Sequence, residues 1–468
     1  MKRIVPIVLA VALFMENIDS TVIATSLATI AADIGTSPIA LKLALTSYYV
    51  SLAVFIPISG RLADRLGARL VFQCAIGVFM VGSLACAAAN SLEGFVAARF
   101  LQGIGGAMMT PVGRLLLVRA TAKSDLVSAM AWFSLPAMIG PLLGPPLGGA
   151  ISTYADWRWI FIINLPIGML GILLAQRFLP RVDPIADIDF DWPGFFLSGI
   201  ACAGLVFGFS VLSLPALPWY VGPLMILVGV ASAFLYLRHA RNHPRPVLAL
   251  SLLRHPTLRA AVSGGGLFRI GAGAVPFLLP LLLQLGFGYT PLESGLITAV
   301  SIGGAMAMKA LAKPILRLLG FRTALIATGI IGGAMTGAVG FYRPDVPLVV
   351  LLVLLLVGGF FRSLFFTSVN VLSFADIGAR DAGDATALVA AAQQVSIAAG
   401  VALAGAVLEL SIYARGIGTV ALSDFSTAFF VVGAVTMASA LPFLRMSPTA
   451  GAEAAGRPSA PNETPSVR

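Results

Sequence analysis

Apolar runs of roughly 20 residues alternate with short polar connections along the whole chain. At 1.5 Å of rise per residue, about 20 apolar residues cross the roughly 30 Å hydrocarbon layer of a bilayer. Such runs lie near residues 4–30, 41–59, 71–89, 95–118, 126–153, 159–178, 192–212, 218–238, 258–286, 292–312, 322–342, 347–372, 385–409 and 423–445. The pattern predicts an all-α polytopic membrane protein with 14 transmembrane helices. The short alternating segments of a lipid-facing β-barrel are missing from the sequence. Composition agrees, with 58% apolar and 11% charged residues and a mean hydropathy of +0.96.

The first run has no small-residue exit site and contains Glu16 and Asp19, so it reads as a retained span rather than a signal peptide. Cys74, Cys86 and Cys202 all fall inside apolar runs, which suggests no disulfide framework. From about Ser447 the chain turns to Ala, Gly, Pro and Ser, a composition that buries no core, and 446–468 is expected to be a disordered cytoplasmic tail.

A net charge of +10 raises the question of nucleic acid, but the basic residues are placed as a membrane protein needs them. Lys2 and Arg3, then Arg61, Arg65 and Arg69, then Arg119 and Lys123, then Arg177 and Arg181 flank alternate connections. Arg238, Arg241, Arg245, Arg254 and Arg259 follow, then Lys313, Arg317 and Arg322, then Arg380 and Arg445. The intervening connections hold Lys42, Arg158, Arg343 and Arg415. The positive-inside rule then puts both termini in the cytoplasm. Lipid, and not nucleic acid, is the expected partner of this surface.

A weak repeat recurs at an offset of about 253–256 residues: "DRLGARL" (64–70) on "RLLGFRT" (317–323), "AKSD" (122–125) on "GARD" (378–381) and "GPPLGG" (144–149) on "GVALAG" (400–405). The expected organisation is an N-terminal six-helix bundle (1–180), a two-helix insert with a basic cytoplasmic loop (181–257) and a C-terminal six-helix bundle (258–445). Halves of this kind enclose a site near the midplane.

Four charged residues crowd the turn "GRLADRLGAR" at 60–69. Charge placement alone accounts for a basic turn. The turn also resembles the hallmark loop of the major facilitator superfamily, with Gly60, Leu62, Asp64, Arg65, Gly67 and Arg69 matching and Ala68 replacing a usual basic residue. The resemblance implies a cytoplasmic gate in which Asp64 approaches a helix N-terminus of the other half, near Asp384 to Thr386. "ARFLQGIGGAMMTP" (98–111) is similar to the family's fourth-span pattern and puts Arg99, Gln102, Gly103 and Gly106 on one helical face. In "IGPLLGPPLGG" (139–149), Gly140, Gly144 and Gly148 recur every four residues, which lets another helix approach closely. With Pro145 and Gly149 the string looks like the family's antiporter signature, although Ala131 stands where that signature has an earlier Gly. "ENIDSTVIATSLATIAADI" and "WRWIFIINLPIG" (157–168), with fourteen spans, resemble the drug:proton antiporter branch that includes EmrB and QacA. "HARNH" (239–243), "FRIGAG" (268–273) and "AMKALAKPILRLLGFR" (307–322) look most like its MdtD subgroup. That resemblance implies proton-coupled efflux of drug-like or amphipathic compounds from the cytoplasm across the cell inner membrane, without an enzymatic step or a cofactor other than the proton gradient. A periplasmic adaptor is a possible partner for exporters of this type.

Glu16 and Asp19 lie three residues apart on one span and can face one cavity. Burial disfavours the charged form of a carboxylate, the property that a reversible proton carrier uses. Asp19 is the expected proton site, Glu16 an accessory and Arg99 the partner, and a purely structural pair satisfied by Arg99, Ser20 or Thr21 is the other reading. An arginine in hydrocarbon costs at least ~2.5–3.5 kcal/mol, so it calls for a partner or a snorkelling exit. Arg114, Arg269 and Arg362 also fall within spans, and with Gln102 and Asn17 they are candidate cavity residues. Lys309 and Glu409 near span ends read as snorkelling side chains. An excess of arginine suits an organic anion such as citrate or its metal chelate, because the guanidinium fork matches carboxylates.

No phosphate-binding GK[ST] loop occurs, which excludes an ATPase within this chain. The three histidines, His239, His243 and His255, lie in the basic loop, where they are expected to be solvated rather than metal-bound. No histidine falls in a span, which disfavours an intramembrane hydrolase, and the two-fold repeat favours alternating access over a channel.

Overall fold

A computed structural model describes residues 4–121, 126–180, 190–211, 218, 220–244, 246–378, 381–416 and 419–451, without the side chains of 126–131, 134–138, 310 and 313. Most of the expected tail and Lys2, Arg3, Lys123, Arg181, Arg245 and Arg380 lie outside these residues. Regular structure among the described residues is entirely helical.

The N-terminal part comprises α1 (Ile4–Val22), α2 (Leu27–Asp33), α3 (Lys42–Leu66), α4 (Ala68–Ala88), α5 (Leu92–Ala120), α6 (Leu126–Tyr154), α7 (Trp159–Ile162) and α8 (Asn164–Phe178). The insert contributes α9 (Trp192–Val211) and α10 (Val221–Asn242). The C-terminal part comprises α11 (Pro256–Leu281), α12 (Pro291–Ala338), α13 (Leu348–Leu372), α14 (Ala382–Arg415), α15 (Leu422–Ala438) and α16 (Leu441–Leu444). Among the described residues, twelve stretches are long and apolar enough to span a bilayer. The fourteen expected from hydropathy include α6 and the first part of α12, whose side chains are only partly described.

The α3–α4 turn and the break within α12 share one cause. Gly67 and Gly320 occupy the same position in the internal repeat and both adopt positive φ, +91° and +75°, which any side chain would strain. α5 starts on Ser91, whose hydroxyl accepts from Gly94 N at 3.1 Å, and α12 starts on a Thr290–Glu293 capping box. The chain stays packed past the expected boundary of the tail: Met446 is buried, and Ala450 packs on the cluster of Phe321 and Leu372.

In lipid, apolar burial does not drive helices together, so close approach at small residues does much of that work. Gly304 and Gly359 seat α12 on α13, Gly273 and Gly400 seat α11 on α14, and Gly204 and Gly229 seat α9 on α10. Between the N- and C-terminal parts, α6 packs on α12 and α14 on α3. α9 lies over the second of these seams and touches both α3 and α14, where Val50, Val206 and Ala398 form one cluster. The outer face of α10 carries exposed Leu224, Leu227, Val230 and Phe234, a surface suited to lipid.

Candidate functional site

The chemistry in the N-terminal part centres on Asp19, which is wholly buried beside α5. Arg99 Nη1 donates to Asp19 Oδ2 at 2.7 Å, and the arginine side chain is 1% exposed. Gln102 Nε2 and Asn164 Nδ2 donate to Asp19 Oδ1 at 2.8 and 2.9 Å, and the same two amides reach Ser83 Oγ at 2.6 and 3.0 Å. Gln102 Oε1 accepts a further hydrogen bond from Arg99 Nη1. The guanidinium lies over the Tyr48 ring, 4.3 Å from its centroid. Arg99 Nε, Asn164 Oδ1 and Tyr48 Oη have no hydrogen-bond partner among the described residues. Orphaned buried polar atoms are costly, and three of them surround this one ion pair.

Glu16, one turn earlier on α1, is half-buried and accepts from Thr110 Oγ1 at 2.7 Å. Asn17 donates to Leu13 O at 2.7 Å on its own helix. Gln102, expected to line a cavity, instead belongs to the buried Asp19 network because its amide satisfies both the carboxylate and Ser83. Arg114, expected to be deep, is exposed on α5. Lys309 is also exposed.

The stripe of Gly140, Gly144 and Gly148 packs against this same α1. A Cβ on Gly140 would meet Asn17, on Gly144 it would meet Thr21, and on Gly148 it would meet Val22 and Thr25. Thr25 Oγ1 donates to Pro145 O at 3.2 Å. Gly149 faces the other way, onto Pro291 and Leu292, while Gly295 meets Pro145 and Pro146. The motif therefore touches both the acidic helix and the opposite part of the protein.

That contact belongs to a closed end of the molecule. Gln284 Nε2 donates to Thr25 O at 2.7 Å, Leu292 N donates to Thr153 Oγ1 at 3.2 Å, and Lys42 Nζ lies 2.7 Å from Glu409 Oε2. Lys42 is fully buried, unlike the loop residue expected from its position, and Glu409 is its ion-pair partner rather than a snorkelling end.

The turn at 60–69 lies at the other end. Asp64 pairs with Arg119 of α5 at 2.6 Å, and both are about a quarter exposed. The expected approach of Asp64 to Asp384–Thr386 is not among the described contacts. Arg69 donates to Leu179 O and Gln176 O, satisfying carbonyls at the C-terminus of α8, where a cation is favoured. Arg61 Nη2 donates to Pro246 O at 3.4 Å, Arg65 is exposed, and Gly60 has open space around it.

In the C-terminal part, buried Arg269 donates to Asn370 Oδ1 at 3.1 Å and lies 5.3 Å from the Phe366 centroid. Arg362 donates to Ser301 Oγ at 3.1 Å and lines a cavity of about 40 Å³ with Phe268, Thr336 and Thr436. Neither arginine pairs with a carboxylate among the described residues. His239 and His243, expected to be solvated, are partly enclosed, and His239 Nε2 lies 2.6 Å from Asp191 Oδ1.

Asn164, Ser83, Thr110 and the Lys42–Glu409 pair escaped the sequence reading. The one available signal for Asn164 was a single amide in the otherwise apolar run "WIFIINLPIG" (159–168).

Many apolar helices, a sealed contact between two packed parts and a charged network inside one of them define a multi-pass membrane transporter rather than an enzyme. Comparison with known proteins gives the same class. The sequence pattern of the Major Facilitator Superfamily matches residues 9–401, and the chain belongs to that family. It is 37% identical over 411 residues to a protein of Salmonella heidelberg (strain SL476) that carries the multidrug-resistance name MdtD, covering 86% of each chain. The protein of that name in Escherichia coli O6:H1 (strain CFT073) is 36% identical over 418 residues, covering 86% of this chain and 85% of the relative. Among solved structures, a D-xylose–proton symporter superposes with a TM-score of 0.69 at 15% identity, covering 96% of this chain and 98% of that one.

Proposed function

We propose that this protein is a proton-coupled exporter of drug-like or amphipathic compounds, with fourteen spans arranged as two six-helix halves and an inserted pair. The observation that carries the reading is the Asp19–Arg99 pair, buried and shared with Gln102, Asn164 and Ser83, one helical turn from Glu16. The multidrug-resistance name of relatives at 36–37% identity supports the substrate class. Charge placement supports cytoplasmic termini in an inner membrane. In that orientation the Lys42–Glu409 end faces outward, and the described arrangement is closed to the outside.

The protein's own groups suggest the cycle. Substrate enters from the cytoplasmic side; opening of the outer end releases it and admits a proton. Protonation of Asp19 removes the charge that holds Arg99 and leaves the guanidinium on the Gln102 amide oxygen and the Tyr48 ring. Return of the protonated form delivers the proton inward, which gains ~2.3 kcal/mol per 100 mV of membrane potential. The glycine stripe couples this event to the seam, because α6 carries the packing for both.

A second reading, export of an organic anion such as citrate, rests on Arg269 and Arg362, which lack a described carboxylate partner. Everted vesicles holding a pH gradient separate the two: a pH-sensitive dye reports proton release on adding ethidium or citrate. Release by ethidium supports the first reading. Release by citrate alone, abolished by Arg362→Ala and unaffected by Arg114→Ala, supports the second.

A further inference from the structure

The cytoplasmic end of the inserted pair, as oriented above, holds a cluster that transport does not use. Asp191 immediately precedes α9, and its side chain is completely enclosed. Its Oδ1 accepts from Gly194 N at 2.9 Å and its Oδ2 from Val247 N at 3.2 Å, which fixes the carboxylate. The last turn of α10 places His239 beside it, and His243 follows just past that helix. The four-residue spacing puts both imidazoles on one face. Their ring centroids are 5.1 Å apart, and one ligating atom of each of Asp191, His239 and His243 lies within 4.8 Å of the others.

We propose that Asp191, His239 and His243 form a binding site for a divalent transition-metal ion of the zinc class. Tetrahedral zinc with bonds of about 2.0–2.1 Å holds its ligand atoms roughly 3.3 Å apart, so the His239–Asp191 contact opens by under about 1 Å and His243 closes in by rotation. Two imidazoles and one carboxylate favour such an ion over magnesium or calcium, which take oxygen ligands. The two backbone N–H groups on Asp191 are the outer contacts that orient a metal-binding carboxylate. Both histidines line an open groove of about 390 Å³, which leaves room for water to complete the coordination. Arg238 on the same groove wall opposes a dication and weakens its binding.

The site has a structural consequence. Val247, held by Asp191, packs with Ile58 and Phe195, and the neighbouring Pro246 O accepts from Arg61. A bound ion pins the insert to the loop beside the 60–69 turn.

Tag-free full-length protein in detergent, stripped with EDTA and desalted, is titrated calorimetrically with zinc chloride and then with magnesium chloride. The expected result is about one zinc equivalent with no magnesium response, affinity reduced at least about tenfold by His243→Ala, and no change with His255→Gln. A melting temperature that rises with zinc in wild type but not in His243→Ala is the second readout. An identical zinc isotherm in wild type and His243→Ala, or no zinc binding by folded wild type, overturns the proposal.

Discussion

Lys42 Nζ and Glu409 Oε2 meet at 2.7 Å, one at the start of α3 and the other on α14, and the lysine is completely buried between them. A buried pair contributes little net stability, yet breaking it by removing one partner costs about 3–5 kcal/mol. Glu409→Gln should therefore open this end of the molecule. A cysteine introduced at Leu292 should then label faster with a membrane-impermeant maleimide than in the parent. Equal labelling would show that the pair does not hold the seam.

Gly144 faces Thr21 with no room for a Cβ. Gly144→Val must push α6 off α1, an overpacking worth about 1–3 kcal/mol. The expected outcome is a lowered melting temperature together with at least a tenfold loss of transport. A variant with full transport would contradict the role given to this stripe.

Asp64 and Arg119 are partly exposed, and such pairs are worth roughly 0–1 kcal/mol. Asp64→Asn should shift thermal stability by no more than that amount while still lowering the transport rate if the turn is a gate. A loss of stability well beyond it would make the pair structural instead.

Asp191 gives a pH test outside the spans. Burial raises its carboxyl, but hydrogen bonds from Gly194, His239 and Val247 outweigh this and hold it below the usual carboxylate range. A carboxyl depressed in the folded state contributes stability that is present above its unfolded value, about 3.9, and lost as pH falls through the folded value. Val247-side contacts should thus persist at pH 5 and weaken only below about 4, as followed by hydrogen exchange of the Gly194 and Val247 amides.

The helical class was legible because hydropathy reports the length of apolar runs directly, and the weak repeat aligns Gly67 with Gly320, both of which take positive φ. Arg99 and Asp19 were legible as a pair because a buried charge needs a counter-charge. Arg114 was expected to be deep and is exposed on α5, because position within an apolar run does not report which face of the helix is packed. Gln102 was assigned to a cavity because periodicity shows a shared face but not what lies opposite it. Lys42–Glu409 and Asp191–His239 join residues 367 and 48 apart, and only tertiary packing brings such partners together.

The central claim is that Asp19 carries the transported proton. Purified Asp19→Asn in liposomes, first shown to be folded by retained ethidium exchange, is compared with wild type for ethidium-driven proton movement across an imposed pH gradient. The account predicts exchange without proton movement in the variant and both in wild type. Proton movement of wild-type size in Asp19→Asn would contradict it.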